Sequence, residues 1–404
     1  MRLITLCLIA LSLFSCSEEV KTSTLKIGTY RAILEVQDNE NLPFIFEVKS
    51  SKELQIVNAE ELIEVKDIEY RNDSIFIKTP VFEGYIAAKF DGDKLIGSFI
   101  IESLDRVVPF FASPSDDNRF KTKSKPSKNV TGIWETVFSK DIAGDEYIAK
   151  GIFKQEGDKV IGTFRTTTGD YRYLEGVMDG DFMKLSTFDG AHAFLFTAKV
   201  TDSTMEGQFY SGNHWKAPFV AKRNATYELP SANELTFLKE GYDRIDFTFP
   251  NSSNEPVSLN DDRFKDKVVI VQIMGTWCPN CLDESKYYAE FYENNKDKDI
   301  EFVALAFEYS RTEEQAFKRI ENLKEKVGIE YPILLAQYGT DDKAKAQEKL
   351  PMLNHVLSYP TSIFIDKTGK VRKIHTGFNG PATGEKYLEF KNEFEAFVAG
   401  LLAE

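Results

Sequence analysis

The chain has 404 residues, too many for one ordinary hydrophobic core, so length alone implies two or three domains. Apolar residues make up 42% and charged residues 28%, the balance of a folded globular protein and not of a disordered one. A net charge of −14 excludes a binder of nucleic-acid backbone, which needs a basic face to displace counterions.

Four cysteines are present: Cys7, Cys16, Cys278 and Cys281. The first two lie in or at the end of an N-terminal apolar run, and the last two form a C-x-x-C. None is left for a framework of structural disulfides.

Met1 and Arg2 open the chain, and Leu3 to Phe14 is a run of 12 almost wholly apolar residues. A spanning helix needs about 20, so residues 1–15 read as a signal peptide. The run closes on Leu13-Phe14-Ser15-Cys16, which resembles the lipobox of bacterial lipoproteins, in a relaxed form similar to those of Bacteroidetes. That resemblance implies cleavage before Cys16, lipidation of Cys16 and a membrane anchor in the envelope of a Gram-negative bacterium, periplasmic or outer-membrane. Acyl chains contribute about 0.8 kcal/mol per buried methylene, enough in number to hold the protein stably. Residues 16–24 form a polar tether.

From residue 25 to 223 short alternating runs dominate, among them Ser74 to Lys78, Lys94 to Ile101 and Lys159 to Phe164. Asp-Gly, Glu-Gly-Asp and Asn-Asp turns separate them, so the region reads as all-β. It also repeats in order. Gly28-Thr29-Tyr30 echoes Gly132-Ile133-Trp134, and Phe82-Glu83-Gly84 echoes Phe188-Asp189-Gly190. Likewise Gly97-Ser98-Phe99 corresponds to Gly207-Gln208-Phe209, and Pro109-Phe110-Phe111-Ala112 to Pro218-Phe219-Val220-Ala221. Two β repeats, 25–112 and 129–223, flank a linker at 113–128. Each forms its own sandwich or barrel, or the two share one core. Trp134 and Trp215 are expected in the core, and His192 and His214 are structural or surface residues.

A polar linker, 224–240, leads to a domain of different pattern at 241–404. Asp246 to Pro250 and Pro256 to Leu259 read as a hairpin, and Val268 to Met274 as a buried parallel strand. The segment Trp277-Cys278-Pro279-Asn280-Cys281 follows, then a helix over Leu282 to Glu293. Glu301 to Phe307 is a strand, and Thr312 to Gln315 has the form of a capping box ahead of a helix closed by Gly328. Pro332 to Ala336 is a strand, Thr361 to Asp366 and Val371 to His375 form a hairpin, and Glu385 to Leu402 is a final helix. This is the order of the thioredoxin fold.

The Trp-Cys-Pro-Asn-Cys motif, with Glu284 after it and Tyr359-Pro360-Thr361 before a strand, resembles the TlpA/ResA-like thioredoxin family over about two fifths of the chain. The resemblance implies an α/β thioredoxin fold for this part, so with the duplicated all-β region before it the chain is expected to be multidomain. It also implies a membrane-anchored, extracytoplasmic disulfide reductase or exchange enzyme. Cys278 would be the nucleophile and Cys281 the resolving thiol of a redox-active disulfide. Pro360 would be a cis proline facing the pair, with Trp277, Pro279 and Tyr359 lining the substrate. Glu284 would tune a thiol or relay its proton, or else be a solvated helix carboxylate. A helix N-terminus beside Cys278 favours the thiolate that attacks a disulfide.

Two departures stand out. Gln272 occupies the place of a buried aspartate common in thioredoxins, and Lys286 stands where many relatives have proline. No cofactor and no metal is expected. The partners implied are a protein disulfide substrate, a thiol electron donor and, through the lipid, the membrane. Competing readings are a β-repeat binding protein with an accessory redox domain, a copper-handling protein or a thiol peroxidase. Copper chaperones of this fold separate their cysteines by three residues, and the peroxidatic Pro-x-x-x-Thr-x-x-Cys is absent.

Overall fold

A computed structural model describes residues 23–115 and 118–404. Cys7, Cys16 and the signal and lipidation expectations fall outside the described residues. No helix among those residues is long and apolar enough to cross a membrane.

The first β copy has nine strands: β1 (Gly28–Glu35), β2 (Asn41–Ser50), β3 (Glu53–Asn58), β4 (Glu61–Val65), β5 (Asp67–Arg71), β6 (Ser74–Lys78), β7 (Tyr85–Asp91), β8 (Lys94–Ile101) and β9 (Arg106–Pro114). They form one antiparallel sheet in the order β4-β3-β2-β1-β9-β8-β7-β6-β5. Alternation puts Tyr30, Ala32 and Leu34 of β1 on the buried face and their neighbours outside it. Only Lys66 separates β4 from β5, yet these are the two edges of the sheet. The sheet curls until its edges meet but does not close.

The second copy repeats the plan: β10 (Gly132–Phe138), β11 (Tyr147–Glu156), β12 (Lys159–Thr166), β13 (Gly169–Asp170), β14 (Leu174–Asp179), β15 (Phe182–Phe188), β16 (Ala193–Val200), β17 (Thr204–Ser211) and β18 (Trp215–Arg223). Here β12 pairs with both β11 and β14, so eight of the strands close into a barrel and β13 hangs on β12 as a two-residue appendage. Phe138, Phe164, Phe196, Phe209 and Phe219 fill the interior. Trp134 is fully buried, its indole N–H donated to the Val130 carbonyl at 2.8 Å. Trp215, expected in the core, is 41% exposed, because it opens β18 at the end of a hairpin turn.

The copies share packing. Phe188 of the barrel enters the core of the first sheet, stacked on Phe44 at 4.4 Å and edge-on to Phe99 at 5.0 Å. Equivalent turns of the two copies touch: a Cβ on Gly84 would lie 2.5 Å from the Gly190 carbonyl oxygen, so glycine permits the approach. Arg119, from the segment joining the copies, is buried and donates to carbonyls on both sides, Val57 and Ser186.

The C-terminal domain opens with the hairpin β19 (Thr248–Pro250) and β20 (Pro256–Ser258). Its central sheet has the order β23-β22-β21-β24-β25, from β21 (Val268–Met274), β22 (Ile300–Phe307), β23 (Ile333–Gln337), β24 (Thr361–Ile365) and β25 (Val371–Thr376). The first three are parallel and the last two antiparallel. Every residue of β21 and β22 is buried, as largely apolar strands between helical layers require, Gln272 and Glu301 included. The helices are α1 (Pro279–Glu293), α2 (Glu313–Val327), α3 (Lys343–Lys349) and α4 (Glu385–Ala403). Helix α1 begins at Pro279, three residues before the expected start, because proline at the first helical position needs no N–H partner. The molecule is thus an all-β duplicated region, one copy a closed barrel and one an open curled sheet, followed by an α/β thioredoxin-like domain.

Candidate active site

Strand β21 carries the chain to the C-terminal edge of the sheet, where Gly275 to Trp277 turn it into α1. The Trp277 indole N–H is held by the Phe307 carbonyl at 2.9 Å, and the ring packs edge-on to Tyr359 at 5.6 Å. Cys278 is the N-cap of α1: its sulfur accepts the backbone N–H of Cys281 at 3.2 Å. The same Sγ lies 3.3 Å from the Tyr359 carbonyl oxygen, and the Tyr359–Pro360 peptide is cis. Cys278 is 7% exposed and Cys281 fully buried; both are free thiols. Burial, with Cys278 alongside, holds Cys281 well above the usual thiol range. Trp277, Pro279, Tyr359 and Pro360 therefore surround the sulfur pair.

Glu284 is not a solvated helix carboxylate. It projects from the second turn of α1 into the core with no exposure. Gln272 of β21 donates to it at 2.9 Å, Ser362 of β24 at 3.0 Å and Tyr288 at 3.2 Å. Burial raises its carboxyl to about 7, partly offset by these three donors. Gln272 thus supplies a donor where an aspartate would have supplied a second acid, and Ser285 fixes the far end of its amide at 3.1 Å. Lys286 lies on the exposed face and pairs with Asp283 at 3.8 Å.

A second buried acid escaped the sequence reading. Glu308, directly after β22, accepts the backbone N–H and the hydroxyl of Thr276, each at 2.7 Å. Burial pushes it up to about 7. It braces the turn before Cys278, and its place directly after the apolar run Phe302–Phe307 was the available signal. Sequence reasoning also missed Asp170 and Arg172 of the second β copy, which reach the motif from more than 100 residues away. His375 is buried, its Nδ1 2.9 Å from the Asn233 side-chain oxygen, and Asp366 caps its own turn through Thr368 and Lys370. His355 is exposed. His192 stacks on Phe194, and burial lowers His214 to about 4.

Residues 239–388 match the Redoxin family. The chain is 28% identical over 141 residues to a protein named thiol-disulfide oxidoreductase ResA from Bacillus subtilis, covering 35% of this chain and 69% of that one. It is 27% identical over 151 residues to the thioredoxin-like protein YneN of the same organism, covering 37% and 79%. A putative thiol:disulfide interchange protein DsbE from Chlorobium tepidum aligns at 20% identity over 40% of this chain and 99% of its own, with a TM-score of 0.30. Residues 239–388 are thus a Redoxin-type domain similar in sequence to thiol–disulfide oxidoreductases named ResA.

Proposed function

We propose that this chain is a membrane-anchored, extracytoplasmic oxidoreductase that reduces or exchanges protein disulfides through Cys278 and Cys281. The observation that carries it is the 3.2 Å hydrogen bond from Cys281 N–H to Cys278 Sγ, at a helix N-cap beside the cis Tyr359–Pro360 peptide.

Cys278 attacks one sulfur of the substrate disulfide. The substrate S–S bond breaks, a mixed disulfide forms, and one substrate thiolate leaves and takes a proton. Cys281 then attacks Cys278 Sγ and expels the second substrate sulfur. Two electrons pass to the substrate, and the enzyme is left with a Cys278–Cys281 disulfide for an external thiol donor to reduce. Cys281 must first lose its proton against burial. Glu284, buried within electrostatic reach of Cys281 and with its carboxyl raised to about 7, would accept it at neutral pH.

Lipidation of Cys16 would hold the protein in the cell envelope of a Gram-negative bacterium and leave Cys278 and Cys281 as the thiols available for exchange. Cys278→Ala should abolish reduction of insulin, and Cys281→Ala should accumulate mixed disulfide; full activity in both variants rejects the reading. Mass spectrometry of protein taken from membranes should find a lipidated N-terminal Cys16. An unmodified Cys16 or a retained Met1 rejects the anchor.

A further inference from the structure

One seven-residue stretch of the second β copy touches three segments of the C-terminal domain around the C-x-x-C: the start of α1, the loop before Pro360 and the loop after β25. It runs from the end of β12 through β13 to Arg172. Tyr171 anchors it in the barrel mouth, with its ring against Phe194, Phe196 and Phe209 and its hydroxyl 2.6 Å from that of Tyr147. Arg172 turns the chain outward with φ of 57°, its N–H held by the Asp170 carboxylate at 2.7 Å.

From that anchor the stretch reaches the redox domain. Asn280, inside the C-x-x-C, donates its side-chain amide to the Asp170 carbonyl at 3.1 Å. Ser358, two residues before Pro360, donates to the Thr168 carbonyl at 2.8 Å. Gly380, in the loop between β25 and α4, donates its N–H to the Asp170 carboxylate at 2.6 Å. Gly169 makes the fit possible: a Cβ there would lie 2.1 Å from the Asn280 amide nitrogen.

Arg172 locks the contact. Its guanidinium donates to the Pro279 carbonyl at 3.2 Å and forms ion pairs with Glu61, Asp189 and Asp283. These carboxylates come from the first β copy, the second copy and α1. The arginine side chain is 5% exposed, and the three acids between 1% and 13%. A planar fork with several donors can span such a set, whereas an ammonium cannot.

We propose that the stretch from Thr166 to Arg172 is a fixed wall of the redox site that selects substrates by bulk, with Arg172 as the positioning residue that seats it. This rests on the disulfide-exchange reading. The wall occupies one side of the approach to a sulfur that is itself 7% exposed. It admits a disulfide on a small molecule or an extended, flexible segment, and obstructs one set in a folded protein surface.

Bulk selection can be read on the full-length reduced protein without any substitution. A polyethylene-glycol maleimide should alkylate Cys278 at least about tenfold more slowly, relative to N-ethylmaleimide, than it alkylates an unfolded control peptide. Equal relative rates overturn the wall. The variant Arg172→Gln with Glu61→Gln and Asp283→Asn removes charge on both sides of the contact and leaves Asp189 its His192 partner at 3.3 Å. In it the ratio of insulin reduction to hydroxyethyl-disulfide reduction should rise about tenfold, with Arg172→Lys between it and wild type. Gly169→Ala, which pushes the stretch away from Asn280, should move the ratio in the same direction. An unchanged ratio in variants that still melt cooperatively overturns the proposal. Failure of wild-type protein to reduce even hydroxyethyl disulfide would instead reject the underlying exchange chemistry.

Discussion

The two β copies share a strand plan but differ at one element, and that element meets the segment carrying Cys278 and Cys281. In the first copy β4 is a regular five-residue strand, Glu61–Val65, completing the hairpin with β3. Its counterpart in the second copy is β13, two residues long, after which Tyr171 enters the barrel mouth and the chain turns outward at Arg172. Shortening that strand lets β14 pair directly with β12 and closes the barrel. It also frees a stretch of backbone to reach Cys278. The first copy keeps the strand, stays open, and has its core completed by Phe188 of the second. Duplication thus supplied two versions of one sheet, one adapted to enclosure and reach, the other to accepting its neighbour.

Both copies grip the C-terminal domain, with unequal force. Equivalent turns place Glu83 and Asp189 against arginines. Glu83 pairs with Arg319 of α2 at 3.0 Å, with 24% of the arginine side chain exposed. Asp189 shares the far more buried Arg172. Arg172→Met should therefore cost about 3–5 kcal/mol of unfolding free energy, since it leaves buried carboxylates without a counter-charge. Arg319→Met should cost about 1 kcal/mol. Urea denaturation measures both, and equal losses would break the asymmetry. Phe188→Ala should cost about 3–5 kcal/mol as a cavity in the first copy's core. Its counterpart Phe82, half-buried against the redox domain, should cost less than half as much.

Glu284 lies outside both contacts and gives a reference that neither copy should affect. The fold raises its carboxyl from 4.5 to about 7, so the folded state favours the neutral form. That contribution is complete below about pH 4.5 and is lost as the pH rises through about 7. Compared with wild type, Glu284→Gln should gain about 3 kcal/mol on going from about pH 4 to about pH 8. A flat difference between the two proteins would place the titration elsewhere. An effect as small as that of Arg319→Met is expected at the wall's anchor, where Tyr147→Phe removes one hydroxyl contact and should cost about 1 kcal/mol.

How much of this was legible in the sequence depends on the range of the signal. Alternating runs and ordered echoes such as Gly97-Ser98-Phe99 and Gly207-Gln208-Phe209 revealed a duplicated all-β region, because strand period and turn residues are local. The redox motif was legible for the same reason. Closure of one copy was not, since it turns on whether β12 pairs with β14, a pairing between strands that the short β13 separates in sequence. Helix α3 was missed because Lys343–Lys349 buries only Ala346 and so carries no apolar stripe. Arg172 was invisible for a deeper reason: Glu61, Asp189 and Asp283 converge on it from distant parts of the chain. Glu284 was found by resemblance, but its burial depends on Gln272, Tyr288 and Ser362 meeting across a helix and two strands.

The exchange chemistry on which the whole comparison depends has a direct test. Full-length protein carrying Cys281→Ser, reduced and then incubated with insulin, should yield a mixed disulfide that mass spectrometry maps to Cys278 alone, and the Cys278→Ser, Cys281→Ser double variant should yield none. An adduct on another residue, or none on Cys278, would contradict the assignment of Cys278 as the attacking sulfur.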